Sequence, residues 1–260
     1  MNVFAKRTIA TLAAALISVT AMAAEPSGAD IMQAVYERPQ GKDLSGLLTM
    51  TLVDARGKER VRSIKQISGN FAAGDKKLMV FQSPADVRGT SFMNWSYDAE
   101  GKNDDQWIYL PALKRVKRIS SEGRGDSFMG SDFTYDDLGA RHPSEDTHKT
   151  TGTESVDGES CWVVESVPKD TKNLYSRTVT WVSKEKNVGL KRDYYDKRGT
   201  LLKTLQIAKI ESLSSVWVIR QTEMKNVQKN TSTRMEFSDV VIDSGIAEDA
   251  FSERAMTRGL

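Results

Sequence analysis

The sequence predicts a mainly β protein with about ten or eleven antiparallel strands in one meandering sheet that curls into a barrel or half-barrel. Two observations predict this fold. Short runs alternate apolar and polar residues, as in 48–52 (LTMTL), which is typical of a strand with one buried face. The runs are separated by tight turns with glycine, as in 54–57 (DARG) and 196–199 (DKRG).

The predicted elements begin with one short amphipathic helix that lies against the sheet. Ser27 or Asp30 can cap its start and Pro39 stops it. Its apolar face holds Ile31, Met32, Ala34 and Val35. The strands are expected at 48–52, 59–68, 77–82, 91–97, 106–110, 160–168, 175–182, 188–195, 201–210, 216–225 and 232–239.

The first 23 residues have the pattern of a secretory signal peptide. Lys6 and Arg7 precede an apolar run at 9–19, and Ala21 and Ala23 provide the small residues of a cleavage site. The run is shorter than the roughly 20 residues of a spanning helix. We therefore expect export across the inner membrane to the periplasm, cleavage near Ala23, and a single domain over residues 24–260.

Composition excludes several functional classes. Removing residues 1–23 takes two of the 37 basic residues and none of the 35 acidic ones, so the charges balance and a nucleic-acid partner is not expected. Cys161 is the only cysteine and is expected to be a small buried residue. His142 and His148 are expected in a polar surface loop, where their spacing fits no common metal motif.

The strands carry large flexible and aromatic residues at a spacing of two. Met93, Trp95 and Tyr97 share one face, as do Trp107 and Tyr109 across the hairpin. Methionine adapts its shape and suits a surface that accepts variable apolar partners. The same residues can equally form an ordinary core, so core packing and a ligand-lined cavity both stay open.

The stretch from 81 to 138 is the most distinctive. It contains FQSPADVRGTSF at 81–92, QWIYLPALKRVKRI at 106–119 and SFMGSDFTYDDL at 127–138. This series resembles the outer-membrane lipoprotein-sorting protein family, the LolA/LolB-like periplasmic carriers, over essentially the whole mature chain. The resemblance implies a half-barrel folded round a few short helices, with an apolar concave cavity that shields lipid or acyl chains. It also implies an association with inner-membrane exporters of the resistance-nodulation-division (RND) type.

Candidate contact residues follow from these observations. The large alternating side chains predicted to line the cavity are Met50, Leu52, Met79, Phe81, Met93, Trp95, Trp107, Tyr109, Phe128, Met129 and Phe133. The basic run is expected to contact an anionic head group, a membrane surface or an acidic partner, or to be a solvated edge strand; it comprises Lys114, Arg115, Lys117 and Arg118. Residues 127–138 are expected to form a loop or short helix whose aromatics cover the cavity.

The sequence favours a carrier over an enzyme. It has no Gly-x-Ser-x-Gly elbow, phosphate loop or Cys-x-x-Cys pair, and we expect no cofactor and no metal. Asp132, Asp136 and Asp137 are too few and too irregular for a calcium loop. The predicted function is a monomeric carrier that transfers lipid or acylated protein toward the outer membrane. The alternatives are an assembly adaptor that docks onto an exporter and, less favoured, a hydrolase acting on lipid or glycan.

Overall fold

The computed structural model of the protein describes residues 25–260. The predicted signal peptide lies outside the described residues. The helices are α1 Gly28–Tyr36 and α2 Glu253–Arg258. The strands are β1 Asp43–Val53, β2 Glu59–Phe71, β3 Gly74–Ser83, β4 Ser91–Trp95, β5 Asp105–Leu110, β6 Arg115–Arg118, β7 Asp146–Val156, β8 Glu159–Pro168, β9 Arg177–Ser183, β10 Gly189–Tyr195, β11 Leu201–Leu213, β12 Val216–Asn226 and β13 Thr231–Ile242. Short 3-10 helices occupy Pro111–Leu113, Glu122–Gly125, Phe128–Gly130, Asp136–Leu138, Pro143–Glu145 and Glu248–Ala250.

All 13 strands form one antiparallel, unclosed sheet in the order β6-β5-β4-β3-β2-β1-β13-β12-β11-β10-β9-β8-β7. The prediction of a mainly β half-barrel is confirmed. The strand count was too low because β6 and β7 were missed. β7 is mostly exposed and polar, so it lacks the apolar alternation that identifies a half-buried strand.

This strand order determines the path of residues 119–145. The chain meanders outward from β1 to the edge strand β6, and returns from the opposite edge strand β7 to β13. β6 and β7 lie at opposite edges, and the connection between them packs on one face of the sheet. We call that face the inner face and its opposite the outer face.

Alternation along β3 separates the two faces. Met79 and Phe81 belong to the inner apolar cluster, whereas Leu78 and Val80 pack on the outer face with Phe251 of the C-terminal segment. This division follows from the period of two in a strand. The inner cluster runs from β1–β4 across to β10, β12 and β13, and helix α2 covers part of the outer face.

Helix α1 packs against the sheet, as its apolar positions predicted, and it does so on the inner face at the β7–β8 edge. Ser27 is the N-cap, and its side chain accepts a hydrogen bond from the Asp30 N–H while the Asp30 carboxylate accepts one from the Ser27 N–H. Ile31 packs against Val164 and Val182. Within residues 25–260, no helix has the length and apolar character needed to cross a lipid bilayer.

Candidate ligand-binding site

Residues 126–138, which we call the plug segment, fill the middle of the inner face. Phe128 is fully buried, and its ring centroid lies 5.3 Å from that of Phe92 and 5.5 Å from that of Tyr135. Phe133 and Leu138 join the same apolar cluster. The loop with short helical turns expected here is present, and its aromatics occupy the apolar surface of the sheet themselves, so that they cover a ligand cavity stays a prediction.

The plug segment is a compact loop held by its own short-range contacts. The Phe128 N–H donates to the Phe133 carbonyl at 2.8 Å. The Asp137 carboxylate accepts the Thr134 N–H at 2.7 Å, and the Thr134 hydroxyl accepts the Asp137 N–H. Met129 and Gly130 have φ values of 51° and 76°, which turn the chain sharply after Phe128. The aromatic side chains are therefore presented to the sheet from a well-defined turn.

Polar contacts also fix the plug segment, and the donors come almost entirely from the sheet. Arg62 donates to the Met129 carbonyl at 2.6 Å, and Gln106 donates to the Tyr135 carbonyl at 2.9 Å. The other donors are Lys77 to the Leu138 carbonyl, Lys203 to the Asp132 carbonyl and the Asp137 carboxylate, Thr231 and Thr233 to the Asp132 carboxylate, and Tyr175 to the Asp137 carboxylate. One bond runs the other way, from the Asp132 N–H to the Thr233 hydroxyl.

A polar cavity of about 380 Å³ adjoins the plug segment on the inner face. It lies between α1, the β1–β3 end of the sheet, the end of the plug segment and β10. Its cationic lining residues are Arg38, Lys42, Lys76, Lys77, Arg141 and Arg192; its acidic ones are Asp43, Asp75, Asp136, Asp137 and Asp146. The volume is in the range of small-molecule sites, but the lining is far more charged than that of a typical apolar pocket.

A small cavity of about 170 Å³ lies on the other side of Lys77. Leu48, Met79 and Phe237 supply apolar surface there, and Leu138 of the plug segment forms part of its wall. Lys77 lines both cavities. The small cavity also has polar lining from Gln66, Arg220, Gln221 and Thr222, so Lys77 lies between a strongly charged space and one of mixed apolar and polar lining.

The residues predicted to line one cavity are divided between the two faces. Met50, Leu52, Met79, Phe81, Phe128 and Phe133 lie in the inner cluster, with Met129 packed against it. Met93, Trp95, Trp107 and Tyr109 lie on the outer face, where α2 and the C-terminal segment pack on them. The prediction of a single cavity lined by all eleven was therefore wrong. Alternation along a strand shows which residues share a face, but it does not show which face is the inner one. Ligand contact by the inner residues stays a prediction.

The basic run forms an exposed edge. Lys114 has a left-handed backbone conformation, and Arg115, Lys117 and Arg118 belong to edge strand β6. Arg118 pairs with Asp105 of β5. This placement agrees with a solvated edge strand, and contact with a head group or partner stays a prediction.

Both histidines lie in more structured positions than predicted. His142 caps the 3-10 helix at 143–145, and its ring lies 5.0 Å from that of Tyr36 in α1. His148 is on β7, half-buried, within 2.8 Å of the Ser166 hydroxyl and of the Pro143 carbonyl. The surface-loop interpretation was wrong for His148, because β7 was not recognised, whereas His142 does lie in the loop before β7. Cys161 is fully buried, as expected.

The buried cations of the inner face were missed. Lys203 lies at the strand spacing of two from Leu201 and Leu205 in β11. Lys77 directly precedes the apolar run 78–81. A lone lysine at an inward position of an apolar strand is the signal that could have identified them. That they contact the same loop could not be predicted from local sequence. Their acceptors lie in the plug segment, about 60 to 70 residues away along the chain.

The unclosed, curved sheet with helix and plug on its inner face defines a half-barrel of the LolA-like class. The solved structure of an outer membrane lipoprotein-sorting protein domain from Vibrio parahaemolyticus is 35% identical, with a TM-score of 0.84, over 89% of this chain and 98% of that one. A DUF1329 family protein from Desulfovibrio piger is 32% identical, with a TM-score of 0.83, over 88% of this chain and 97% of that one. The chain belongs to this DUF1329 family of LolA-like lipoprotein-sorting domains.

More distant comparisons agree on the fold. A LolA superfamily protein from Nitrosomonas europaea is 16% identical, with a TM-score of 0.69, over 89% of this chain and all of that one. A family model described as an uncharacterized protein matches residues 73–258. No curated protein matches the chain.

Proposed function

We propose that this protein is a carrier that binds an acyl chain of a lipid or lipoprotein against the inner face. The observation that supports the proposal most directly is the nature of the inner cover. The apolar surface of β1–β4 is covered by a connecting loop that forms no strand within the sheet. Such a cover can leave while all 13 strands stay paired. The role needs no bond-making chemistry.

The apolar part of the exchange is roughly balanced. Phe128, Phe133 and Leu138 are buried, and each loses about 1.5–3 kcal/mol on exposure. An acyl chain of about fifteen carbons gains roughly 10 kcal/mol when its methylenes leave water. Burial of an acyl chain can therefore offset the exposure of the plug side chains. The net free energy of the exchange then depends on the polar contacts of the plug segment.

The relatives and the leader support the cellular setting that we propose. The similar Vibrio domain is described as an outer membrane lipoprotein-sorting protein. Together with the signal-like residues 1–23, this favours a periplasmic carrier that moves cargo toward the outer membrane. We propose an RND-type inner-membrane exporter as the donor, on the resemblance of the 81–138 motif series alone.

Two measurements test the proposal. The first is native mass spectrometry with lipid extraction on protein purified from the periplasm without detergent, where we expect a stoichiometric amphiphile. The second is hydrogen–deuterium exchange with and without an added lauroyl lipid. Binding should increase exchange in residues 126–138 and leave β1 and β13 protected. A clean unliganded mass, with no added lipid bound and no change in the plug segment, would contradict the carrier role.

A further inference from the structure

The inner face presents hydrogen-bond donors, and the plug segment supplies the acceptors. Seven side chains donate to the plug segment, and three of them are cationic: Arg62, Lys77 and Lys203. A buried donor that loses its acceptor destabilises the protein, and more so when it is charged. Cargo that displaces the plug segment with hydrocarbon alone therefore leaves these donors without hydrogen-bond acceptors. Cargo that brings its own acceptors does not.

Lys77 is the donor placed to meet such an acceptor. Its Nζ lies 2.9 Å from the Leu138 carbonyl, and it lines both the polar cavity and the small cavity. No carboxylate of residues 25–260 lies within 4.0 Å of this ammonium. Burial penalises the charged form of Lys77 and lowers its pKa, and the charges of Asp75 and Asp104 offset this cost only in part. An anion beside it relieves that cost.

Besides the exposed Lys42, two further cations line the polar cavity without a carboxylate partner in the described part of the chain. Arg38 donates from Nη1 to the Val35 carbonyl at 3.1 Å, and its buried Nε has no hydrogen-bond partner there. Arg192 donates from Nε to the Thr180 hydroxyl at 2.9 Å. Guanidinium groups hold oxyanions through paired N–H bonds, so these side chains suit a phosphate or carboxylate.

Most of the acids around the cavity already have partners. The Asp43 carboxylate accepts four hydrogen bonds from residues 244–246. Asp146 pairs with Arg141, and Asp137 pairs with Lys203. Asp75 accepts from Asn70. Burial raises the pKa of Asp136, and the charge of Arg141 offsets this only in part. Within residues 25–260, the lining cations without an ion pair thus outnumber the lining carboxylates without one by four to three: Arg38, Lys42, Lys77 and Arg192 against Asp43, Asp75 and Asp136.

We propose that the polar cavity holds the oxyanion head group of an amphiphile, with Lys77 and Arg38 as its contacts and the acyl chain entering the space vacated by Leu138. This inference rests on the proposed carrier function and adds the chemical class of the cargo. The head group replaces the Leu138 carbonyl as the acceptor for Lys77. The chain then begins at the small cavity, against Leu48, Met79 and Phe237.

The test compares two ligands that differ by one phosphate. Titration calorimetry below the micellar concentration measures binding of lauroyl glycerol and of lauroyl glycerol phosphate, with glycerol phosphate as the head group alone. Wild-type protein should bind the phosphorylated lipid about tenfold more tightly, or better, since a hydrogen bond to a charged group contributes about 1.5–3 kcal/mol. Lys77→Met should abolish this preference, and because it also removes a contact of the plug segment, it should bind lauroyl glycerol at least as tightly as the wild type does.

Control variants make the test decisive. Arg38→Met should weaken the preference without touching β3. Lys117→Met, on exposed edge strand β6, should keep it. Loss of the preference in Lys117→Met, with retention in Lys77→Met, would place the head group on β6 and overturn the inference.

The remaining outcomes separate this inference from the carrier function. Equal binding of both lipids by the wild type overturns the head-group site and leaves the carrier standing. If the protein binds neither lipid, both the head-group site and the carrier function are rejected. If glycerol phosphate alone binds as tightly as its lauroyl ester, the cavity is a site for small anions and the amphiphile is rejected.

Discussion

The ammonium of Lys203 lies 2.5 Å from the Asp137 carboxylate, and the two side chains are only 3% and 4% exposed. The pair joins β11 to the plug segment in the middle of the inner face. A second bond, from Lys203 to the Asp132 carbonyl at 3.0 Å, attaches the same ammonium to the other half of the loop. The plug segment is thus fixed by charge as well as by its aromatic side chains.

Removing one partner of this pair should be strongly destabilising. Lys203→Met leaves the Asp137 carboxylate buried without its counter-charge, and such a change costs about 3–5 kcal/mol. Adding Asp137→Leu should restore part of the loss, because the uncompensated charge is then gone. Urea unfolding of the single and double variants measures both effects. Arg234→Met is the control: its pair with Glu59 is half-exposed and should contribute less than about 1 kcal/mol.

Phe128→Ala should weaken the fold and strengthen lipid binding at the same time. The side chain is fully buried, so truncation costs about 3–5 kcal/mol of stability. Because the plug segment competes with cargo for the inner face, the weaker plug raises the affinity for a lauroyl lipid. Chemical unfolding and calorimetric titration measure the two quantities.

The matched control for Phe128 is Phe251→Ala. Phe251 is equally buried but packs on the outer face, so it should lose similar stability without a gain in lipid affinity. A gain in both variants would mean that general loosening, and not competition by the plug segment, exposes the binding surface.

Gly28→Ala tests the docking of α1. Helix propensity alone favours alanine by up to about 1 kcal/mol. A Cβ at this position, however, would lie 2.8–2.9 Å from backbone atoms of His148 and Lys149 on β7, which cannot yield as a side chain can. We expect a net loss of about 1–3 kcal/mol. Gly152→Ala on the same strand meets nothing within 4 Å and should change stability little; thermal unfolding compares the two.

Two aspartates should give opposite pH dependences. Burial raises the pKa of Asp136 above its ordinary 3.8, so its ionisation weakens the folded state as the pH rises from that value through the raised pKa. Asp136→Asn should therefore increase stability at pH 7 and have little effect below about pH 3.

Asp43 should behave in the reverse way. Burial alone would raise its pKa, but the hydrogen bonds from residues 244–246 outweigh this and lower it. Its carboxylate stabilises the fold above pH 3.8, and that contribution is lost as the pH falls through the lowered folded pKa. Asp43→Asn should thus destabilise at pH 7 and have little effect in strong acid. Denaturant unfolding across pH checks both signs, and equal signs would contradict the assignment.

The features that could be predicted from the sequence are those that depend on neighbouring residues. Strand alternation, turns and the apolar face of α1 are properties of neighbouring residues, and they led to the half-barrel. Strand β7 was missed because an edge strand with both faces largely in water has no apolar alternation to detect. The face assignment of Trp95 and Trp107 failed for a different reason. Whether a face is inner or outer depends on where residues 119–145 and α2 pack, and no local pattern encodes that.

The length of the connection between the two edge strands sets how the inner face can open. Fully extended, the 27 residues at 119–145 reach about 90 Å. The arc across 13 strands is only about 58 Å at the usual spacing between neighbours. The connection therefore has slack even if it passes around the whole rim. Both of its ends can stay anchored at β6 and β7 while its middle swings clear, so admitting cargo costs the sheet none of its ladder hydrogen bonds.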